Sequence, residues 1–339
     1  MSVLLRKLLG LSIIIASFGI GWLLMDLQHY VETPIPGLDR SLRYTLAPGM
    51  GLHAMVRTLH RQGVITHPDY LMWYARWQGR ANHIEVGEYE FPPGSTPAQM
   101  LDKLFKGDVI QYALTIPEGW TFQQMLRALN QQDKLQHLVT GLSDEQIMVK
   151  LGHAREHPEG RFYPDTYHFT RNTRDLSLLK QAYQSMAERL DREWQQRATG
   201  LPYHDPYEAL IMASIIEKET AIPDERKKIA GVFVRRLQKH MRLQTDPTVI
   251  YGLGNRYHGN LRRRDLKAPS PYNTYLQRGL PPTPIALPGG DALHAALHPA
   301  AGKALYFVAR GDGSHQFSAT IGEHNAAVRK YQLRAHYGQ

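Results

Sequence analysis

The chain has 339 residues, of which 42% are hydrophobic and 21% are charged. This composition supplies a core for about two or three domains and excludes a wholly disordered chain. The absence of cysteine excludes disulfide frameworks, thiolate metal sites and cysteine nucleophiles, and a net charge of +9 favours anionic partners or surfaces.

The N-terminus carries a candidate membrane anchor. Arg6 and Lys7 precede an uncharged apolar stretch, Leu8–Met25, which ends before Asp26. As a helix it would be about 27 Å long, close to the thickness of a bilayer core. A cleaved signal peptide is the alternative, but its apolar region is usually about 7–15 residues long and no A-x-A-like site is present here. We therefore predict an uncleaved single-pass anchor, with residues 1–7 in the cytoplasm by the positive-inside rule.

The remainder predicts an α+β fold in two parts after a polar linker over residues 26–39. A small unit of strands and short helices is predicted over residues 40–107, and a larger mixed α+β domain over residues 108–339. The elements of the small unit are a strand near Arg43, helices at Leu52–Gln62 and Tyr70–Gln78, a strand at Ile84–Phe91 and a helix beginning at Ser95.

The larger domain contains one segment that is apolar almost all round, Ala209–Ile216, which indicates a buried helix beginning at the cap Asp205 and at Pro206. The other predicted elements are a strand at Val109–Ile116, a helix at Thr121–Gln131, a helix capped by Asp175 and ending at Arg197, a helix at Pro223–Lys239, a strand at Leu305–Ala309 and a last helix at His324–Tyr337.

Glu217 lies at the end of the apolar helix, so its carboxyl group is expected to be partly removed from water. Desolvation raises the pKa of a carboxyl group, and an acid still protonated near neutral pH can donate a proton to a leaving-group oxygen. Ser214, on the same face one turn earlier, is small enough to leave room for a substrate. The alternative is a helix-end carboxylate paired with Lys or Arg, and the spacing alone leaves both interpretations open.

Glu219 is the rival acid on the same helix. Two residues along a helix rotate a side chain by about 200°, so Glu217 and Glu219 cannot both face one sugar. A second carboxylate would have to come from elsewhere, and Asp246, in a polar segment that resembles a binding loop, is the best candidate. An Asx turn at Asp246 is an equally good local explanation.

Metal and cofactor sites are not predicted. His294 and His298 have helical spacing, but no H-E-x-x-H pattern or matching acid accompanies them, so we interpret them as helix-surface residues. Phosphate-binding loops and the G-x-S-x-G elbow are also absent from the sequence.

Four segments in a fixed order carry a family resemblance. They are Glu159–Tyr167 (EGRFYPDTY), Ala213–Thr220 (ASIIEKET), Arg242–Gly252 (RLQTDPTVIYG), and Tyr272–Tyr275 (YNTY) with Gly279–Pro282 (GLPP). Together they resemble the YceG-like (MltG) family of endolytic murein transglycosylases, which are anchored in the bacterial inner membrane. The resemblance covers essentially the whole chain and departs from the family pattern only in the loop Thr283–Gly289.

The resemblance implies that Glu217 is the catalytic acid and that residues 40–107 form a LysM-like subdomain. It implies cleavage of peptidoglycan glycan strands between N-acetylmuramic acid and N-acetylglucosamine, beside peptidoglycan synthases, leaving 1,6-anhydro ends that terminate nascent strands. The residues hypothesised to bind the strand are Tyr163, Asp165, Tyr167, Ser214, Glu219, Gln244, Asp246, Thr248, Tyr251, Asn273 and Tyr275.

Two other classes of function remain open. A two-carboxylate peptidoglycan hydrolase would use Asp246 as the second acid and would leave reducing ends. A non-catalytic membrane-anchored protein would only bind glycan. A nucleic-acid partner is not expected, because the body of the protein is predicted to lie outside the cytoplasm.

Overall fold

A computed structural model of the chain describes residues 3–47, 49–79 and 84–333. The helices are α1 (Val3–Glu32), α2 (Leu52–Arg61), α3 (Pro68–Trp77), α4 (Pro97–Lys106), α5 (Phe122–Asn130), α6 (Asp144–Leu151), α7 (Asp175–Gln195), α8 (Pro206–Glu219), α9 (Pro223–Gln238), α10 (Asp246–Leu253), α11 (Gly290–Leu297) and α12 (Ile321–Val328). The strands are β1 (Leu42–Leu46), β2 (Gly87–Phe91), β3 (Tyr112–Thr115), β4 (Thr166–Phe169), β5 (Tyr306–Ala309) and β6 (His315–Ser318). The predicted α+β class is confirmed.

The chain divides into two compact units. The N-terminal unit contains residues 1–112 and 168–172, and the C-terminal unit contains residues 113–167 and 173–339. The sheets are small: β1 pairs with β2 and β5 with β6, both antiparallel, and β3 pairs with β4. The division into a LysM-like subdomain and a catalytic domain stays a prediction.

Helix α1 carries the predicted anchor and extends beyond it. The segment Leu5–Glu32 is long and apolar enough to cross a membrane, and its most apolar window is not buried within the protein. The predicted linker was wrong in its first part, because the helix continues through Glu32. The reason is that the first proline after the anchor is Pro34, and a helix ends at or before the residue that precedes a proline. The polar residues before it are compatible with a helix.

The core of the N-terminal unit lies between the β1–β2 pair and the helices α2, α3 and α4. The apolar faces of these helices follow helical spacing, and Leu46 on β1 and Phe91 on β2 point into the same core. Helix α4 begins at a capping box in which Thr96 and Gln99 bind each other's backbone N–H groups. The largest enclosed side chains are Leu46, Met55, Leu59, Ile65, Leu71, Tyr89, Phe91, Met100 and Leu101.

Helix α8 is the centre of the C-terminal unit. Its start is as predicted: Asp205 accepts a hydrogen bond from the Glu208 N–H at 2.9 Å, and Pro206 occupies the first helical position. Every residue from Ala209 to Ile216 is buried, and α7, α9, α10 and α11 pack around the helix. This arrangement explains why the segment is apolar on all sides.

Three local predictions were wrong. Helix α7 has Arg174 as its N-cap, whereas the Asp175 carboxylate accepts the Leu138 N–H at 2.9 Å from a neighbouring loop. The segment from Asp246, predicted as a loop, forms helix α10 with its proline in the first turn. Helix α12 begins at Ile321 rather than His324; after Val328 the chain continues as a π-helix over Arg329–Leu333, in agreement with the prediction, and the predicted residues 334–337 lie outside the described part of the chain.

We predict that Ser214→Ala destabilises the C-terminal unit by about 1–3 kcal/mol. The buried Ser214 hydroxyl accepts a hydrogen bond from the Ile285 N–H at 3.0 Å, and the variant would leave this buried N–H group without its partner. Urea unfolding of the full chain in detergent measures the effect. Ser177→Ala, at an exposed position of α7, is the matched control and should change stability by less than about 0.5 kcal/mol. Equal effects of the two variants would contradict the prediction.

Candidate active site

Helix α8 presents two acidic side chains where it ends. Glu217 and Glu219 follow the buried run that closes at Ile216, and they leave the helix in roughly opposite directions. Thr220 is the C-cap of α8, and its hydroxyl accepts a hydrogen bond from the Ile222 N–H at 3.0 Å. The two carboxyl groups therefore lie in different surroundings.

Glu217 is enclosed by polar neighbours. Its Oε2 accepts a hydrogen bond from the Gly289 N–H at 3.0 Å, and the Arg226 guanidinium lies 3.9 Å from its Oε1. The side chain is only 7% exposed. Burial raises the pKa of Glu217, while the Gly289 N–H and Arg226 oppose that rise. These two neighbours therefore offset part of the rise in pKa that burial causes.

Charged side chains surround Glu217. Arg226 also contacts Glu118 at 3.8 Å and Asp291 at 3.1 Å, so three acids share one guanidinium. The Glu118 carboxylate lies over Gly289 so closely that a Cβ at that position would come within 1.8 Å of it. On the other side, Lys218 donates a hydrogen bond to the Gly119 carbonyl at 3.1 Å. Glu118, Lys218 and Asp291 are themselves exposed, so these side chains border Glu217 at the surface of the unit.

Glu219 lies in a different environment on the other side of the helix. Its carboxyl group accepts a hydrogen bond from the Thr245 hydroxyl. Burial raises the pKa of Glu219 to about 7, and the negative charge of Asp246 raises it further, against the smaller effects of Thr245, His315 and Arg236. The raised pKa favours the protonated form near neutral pH, which is the state a general acid needs.

A cleft of about 510 Å³ adjoins Glu219. One wall comes from the loop before α10 and from Tyr275, and the other comes from β5, β6 and α12. The lining residues include Glu219, Arg236, Gln244, Asp246, Tyr275, Tyr306, His315, His324 and Asn325. The cleft is thus rich in hydrogen-bonding groups and contains aromatic side chains, as expected for a site that binds a polyhydroxylated chain.

Asp246 and Gln244 are held at this cleft by their own contacts. The Tyr275 hydroxyl donates a hydrogen bond to Asp246 Oδ1 at 2.6 Å, and the Asp246 side chain is exposed. Gln244 has φ of 50°, a left-handed conformation that non-glycine residues rarely adopt, and its N–H donates to the Thr274 carbonyl at 3.2 Å. Strained backbone of this kind is concentrated at functional sites.

Four of the predicted binding residues are interior: Tyr167, described below, and the three discussed here. Thr248 is fully buried and shares a 2.9 Å hydrogen bond with the Thr274 hydroxyl. Asn273 is also fully buried and donates to the carbonyl groups of Leu266 and Ala268. Ser214 is committed to the contact with Ile285 described above. These side chains shape the loops around the cleft and do not line it.

The tyrosine-rich segment before β4 is not among the residues that line the Glu219 cleft. Tyr167 is buried and donates to the Tyr163 carbonyl at 2.5 Å, whereas the Asp165 side chain is exposed. Tyr251 faces the same part of the unit, because its hydroxyl donates to Glu159 Oε2 at 3.0 Å. The structure therefore groups Gln244, Asp246 and Tyr275 with Glu219, and separates them from this second cluster.

Sequence reasoning missed the C-terminal wall of the cleft. Arg236 is buried and binds the carbonyls of Leu243 at 2.6 Å and Leu305 at 2.7 Å, which fixes the loop before α10 against β5. His315 on β6 is paired with Glu225 at 2.6 Å. The partners of Arg236 and His315 lie elsewhere in the chain, so local spacing carried no signal for them.

An acid that the sequence spacing did not indicate, Glu193 of α7, lies beside His294 and His298. The Glu193 carboxylate on α7 is 2.9 Å from His294 Nδ1 and 3.9 Å from His298 Nε2, and the three ligand atoms lie within 4.8 Å of one another. Arg189 contacts the same carboxylate at 3.5 Å, so its charge is already compensated without an ion. The absence of a metal stays a prediction.

The fold and the cleft define a mixed α+β protein with a buried carboxyl group at a polar cleft. The family model described as "YceG-like family" matches residues 44–330. A Bacillus subtilis (strain 168) protein named endolytic murein transglycosylase is 32% identical over 86% of this chain and 85% of its own length. A protein of the same name from Streptococcus pneumoniae serotype 2 is 27% identical over 83% of this chain, which spans 57% of that longer relative.

A solved structure gives the same result. The crystal structure of a YceG-like protein from Listeria monocytogenes matches with a TM-score of 0.55 and 30% identity, covering 85% of this chain and 99% of that one. The chain belongs to the YceG-like family.

We predict that Glu159 makes stability depend on pH in the C-terminal unit. Glu159 is buried, accepts hydrogen bonds from the Phe122 N–H and the Tyr251 hydroxyl, and has its pKa raised by burial from 4.5 to about 7. The folded state therefore binds this proton more tightly than the unfolded state, and the stability from this group falls as pH rises from about 4.5 to about 7.

The measurement is the thermal unfolding temperature of wild type and Glu159→Gln in detergent across this range. Wild type should lose stability relative to the variant as pH increases, because the variant has no titratable group at this position. Glu188→Gln, at an exposed position, should follow wild type at every pH. A difference between Glu159→Gln and wild type that is constant with pH would refute the prediction.

Proposed function

We propose that this chain is an endolytic murein transglycosylase, which cleaves peptidoglycan glycan strands between N-acetylmuramic acid and N-acetylglucosamine and leaves 1,6-anhydromuramic ends. The proposal is supported by family membership and by the relatives of that name. The observation that carries it is the position of the buried Glu219 carboxyl group at the polar cleft, where it accepts a hydrogen bond from the Thr245 hydroxyl. Burial raises the pKa of this group, in keeping with an acid role.

The geometry favours Glu219 as the acid, whereas the sequence resemblance assigned this role to Glu217. Glu217 accepts a hydrogen bond from the Gly289 N–H, lies near Arg226 and is not among the residues that line the cleft. Glu219 instead adjoins the cleft. Its hydrogen bond from Thr245 fixes one carboxyl oxygen and leaves the other to donate a proton.

The proposed reaction needs one acid and no activated water. Protonated Glu219 donates its proton to the glycosidic oxygen as the bond from that oxygen to C1 of the muramic residue breaks. The resulting carboxylate then accepts the proton of the C6 hydroxyl while O6 bonds to C1, so the acid is regenerated and the anhydro ring closes. Asp246, held by Tyr275, supports this cycle because its negative charge favours the protonated form of Glu219.

A two-carboxylate hydrolase is the second candidate. The observation that favours it is Asp246, which shares the cleft with Glu219 and is exposed to water. In that mechanism Asp246 would act as base or nucleophile, and the product would carry a reducing end. The mass of the product separates the two reactions.

We predict that Glu219→Gln lowers the rate of strand cleavage by at least about 100-fold, because general acid catalysis contributes factors of this size. Glu217→Gln is the matched control on the same helix and should keep most of the activity, since an amide oxygen can still accept the Gly289 N–H. The assay incubates the full chain in detergent with purified peptidoglycan and identifies the products by mass spectrometry.

The pH profile adds a readout that a misfolded variant cannot mimic. Wild-type kcat/KM should fall as pH rises through about 7, since the acid must be protonated. Asp246→Asn should retain anhydro products, with the alkaline limb at lower pH, because it removes the charge that raises the pKa of Glu219. Loss of activity in Glu217→Gln alone would return the acid role to Glu217. Hydrated reducing ends would establish the hydrolase, and binding without cleavage by wild type would favour a glycan tether.

We also propose that the protein is a single-pass inner-membrane protein, with its N-terminus in the cytoplasm and both units in the periplasm. This placement is supported by α1 and by Arg6 and Lys7 at its start. It would bring the cleft to nascent glycan strands beside peptidoglycan synthases, where cleavage terminates elongation. Residues 40–107 would act there as a LysM-like unit.

Cysteine labelling tests this placement in a chain that has no native cysteine. We predict that Asp312→Cys reacts with a membrane-impermeant maleimide in intact spheroplasts. Ser2→Cys should react only after the membrane is permeabilised, because it precedes the apolar segment. The cysteine-free parent controls for background labelling. Labelling of Ser2→Cys in intact spheroplasts would reverse the orientation.

A further inference from the structure

Helix α3 carries an exposed aromatic face that the enzymatic site does not use. Trp73 and Trp77 are four residues apart, so they share one face of the helix. Their side chains are 48% and 82% exposed, and Trp77 is the most exposed large apolar side chain among the described residues outside α1. Large aromatic groups left in water in this way mark an interaction surface.

The contacts of α3 with α1 fix where this face lies. Tyr30 of α1 contacts the rings of both His67 and Tyr70, with centroids 5.3 Å and 5.8 Å apart, whereas Asp26 accepts a hydrogen bond from the Tyr70 hydroxyl at 2.7 Å. Asp26 is one turn nearer the apolar segment than Tyr30. Moving along α3 from His67 to Tyr70 therefore moves towards that segment.

Trp73 and Trp77 continue in the same direction. Trp73 stacks on Tyr70 with centroids 5.9 Å apart, and Trp77 lies one turn further along α3. Asp26 is the first charged residue after the uncharged stretch that ends at Met25. The direction of α3 from His67 past Tyr70 to the two tryptophans therefore leads towards the end of the apolar part of α1, which in a membrane is the headgroup region.

The chemistry of the face suits that region. Tryptophan and tyrosine are enriched at membrane interfaces because their rings are apolar and their N–H and O–H groups are polar. Arg76 directly precedes Trp77 on α3, and α2, which packs against α3, carries Arg57 and Arg61; the one acid of these two helices is Asp69. A positive charge beside the aromatic face complements anionic headgroups.

We propose that the face of α3 formed by Trp73 and Trp77 inserts into the headgroup region of the bilayer that α1 spans. The bilayer is thus its occupant, and the N-terminal unit is attached to the membrane by a second contact besides the anchor. This inference rests on the proposed membrane placement of α1. A glycan strand stacked on the tryptophans, or a partner protein, would be a different outcome.

The test uses single-cysteine variants of the full chain in lipid nanodiscs of phosphatidylethanolamine and phosphatidylglycerol. A bimane label at Gln78→Cys, exposed at the end of α3, reports the proposed contact without removing either tryptophan. Lipids brominated near the headgroup should quench this label. A label at Pro93→Cys should not be quenched, because the adjacent Gly94 donates to the Leu38 carbonyl, beyond the end of α1.

Truncation of the face should remove the effect. In the Gln78→Cys background, Trp73→Ala with Trp77→Ala should lose most of the quenching, whereas Val86→Ala, which removes another exposed apolar side chain of this unit, should keep it. Circular dichroism would confirm that the double variant is folded, since neither tryptophan belongs to the buried core.

A label at Ile14→Cys in α1 separates this inference from the placement of the anchor. If bilayer-centre bromolipids fail to quench Ile14→Cys, the membrane span itself is refuted. If Ile14→Cys is quenched and Gln78→Cys is not, the span stands and the proposed contact is overturned. A change in Gln78 emission on adding soluble glycan fragments, without lipid quenching, would identify the face as a sugar-binding surface and also overturn it.

Discussion

The complete burial of α8 is the constraint on which the C-terminal unit depends. Eight consecutive residues, Ala209–Ile216, are enclosed by surrounding helices, so the direction and depth of the helix are fixed by packing. A polar side chain that directly follows such a run is still partly buried by the surrounding helices. Glu217 and Glu219 are both in this position, and burial is the largest influence on the pKa of each. Their difference arises from what lies beyond the helix.

That difference is set by two loops that come from distant parts of the chain. The loop before α11 brings the Gly289 N–H to Glu217, and the loop before α10 brings Thr245 and Asp246 to Glu219. One carboxyl group is therefore satisfied by backbone and a guanidinium, while the other is left at a cleft beside a second negative charge. Arg236 holds the second loop in place, because it binds the Leu243 carbonyl of that loop and the Leu305 carbonyl before β5. The buried arginine thus lines the cleft and also connects its two walls.

Local signals were sufficient for much of the fold. The cap at Asp205, the proline at the first turn of α8 and its apolar run identified this helix and its burial, because each depends only on neighbouring residues. The 200° relation between the two acids was also available from helical geometry. Which acid meets a cleft was not, because Thr245 and Tyr275 approach from other parts of the chain. The same limit explains Thr248 and Asn273, whose residue types suit sugar binding but whose side chains are used inside the fold.

Because α1 is one helix from its apolar segment to Glu32, it transmits orientation as well as position. About 10 Å of helix emerges beyond Met25 and packs against α3 and α4. A helix tilts when its apolar length exceeds the local thickness of the bilayer. With α1 in a membrane as proposed, such a tilt would turn the N-terminal unit by the same angle, because the helix is continuous through Glu32. The lipid composition around α1 would then set the orientation of the attached unit.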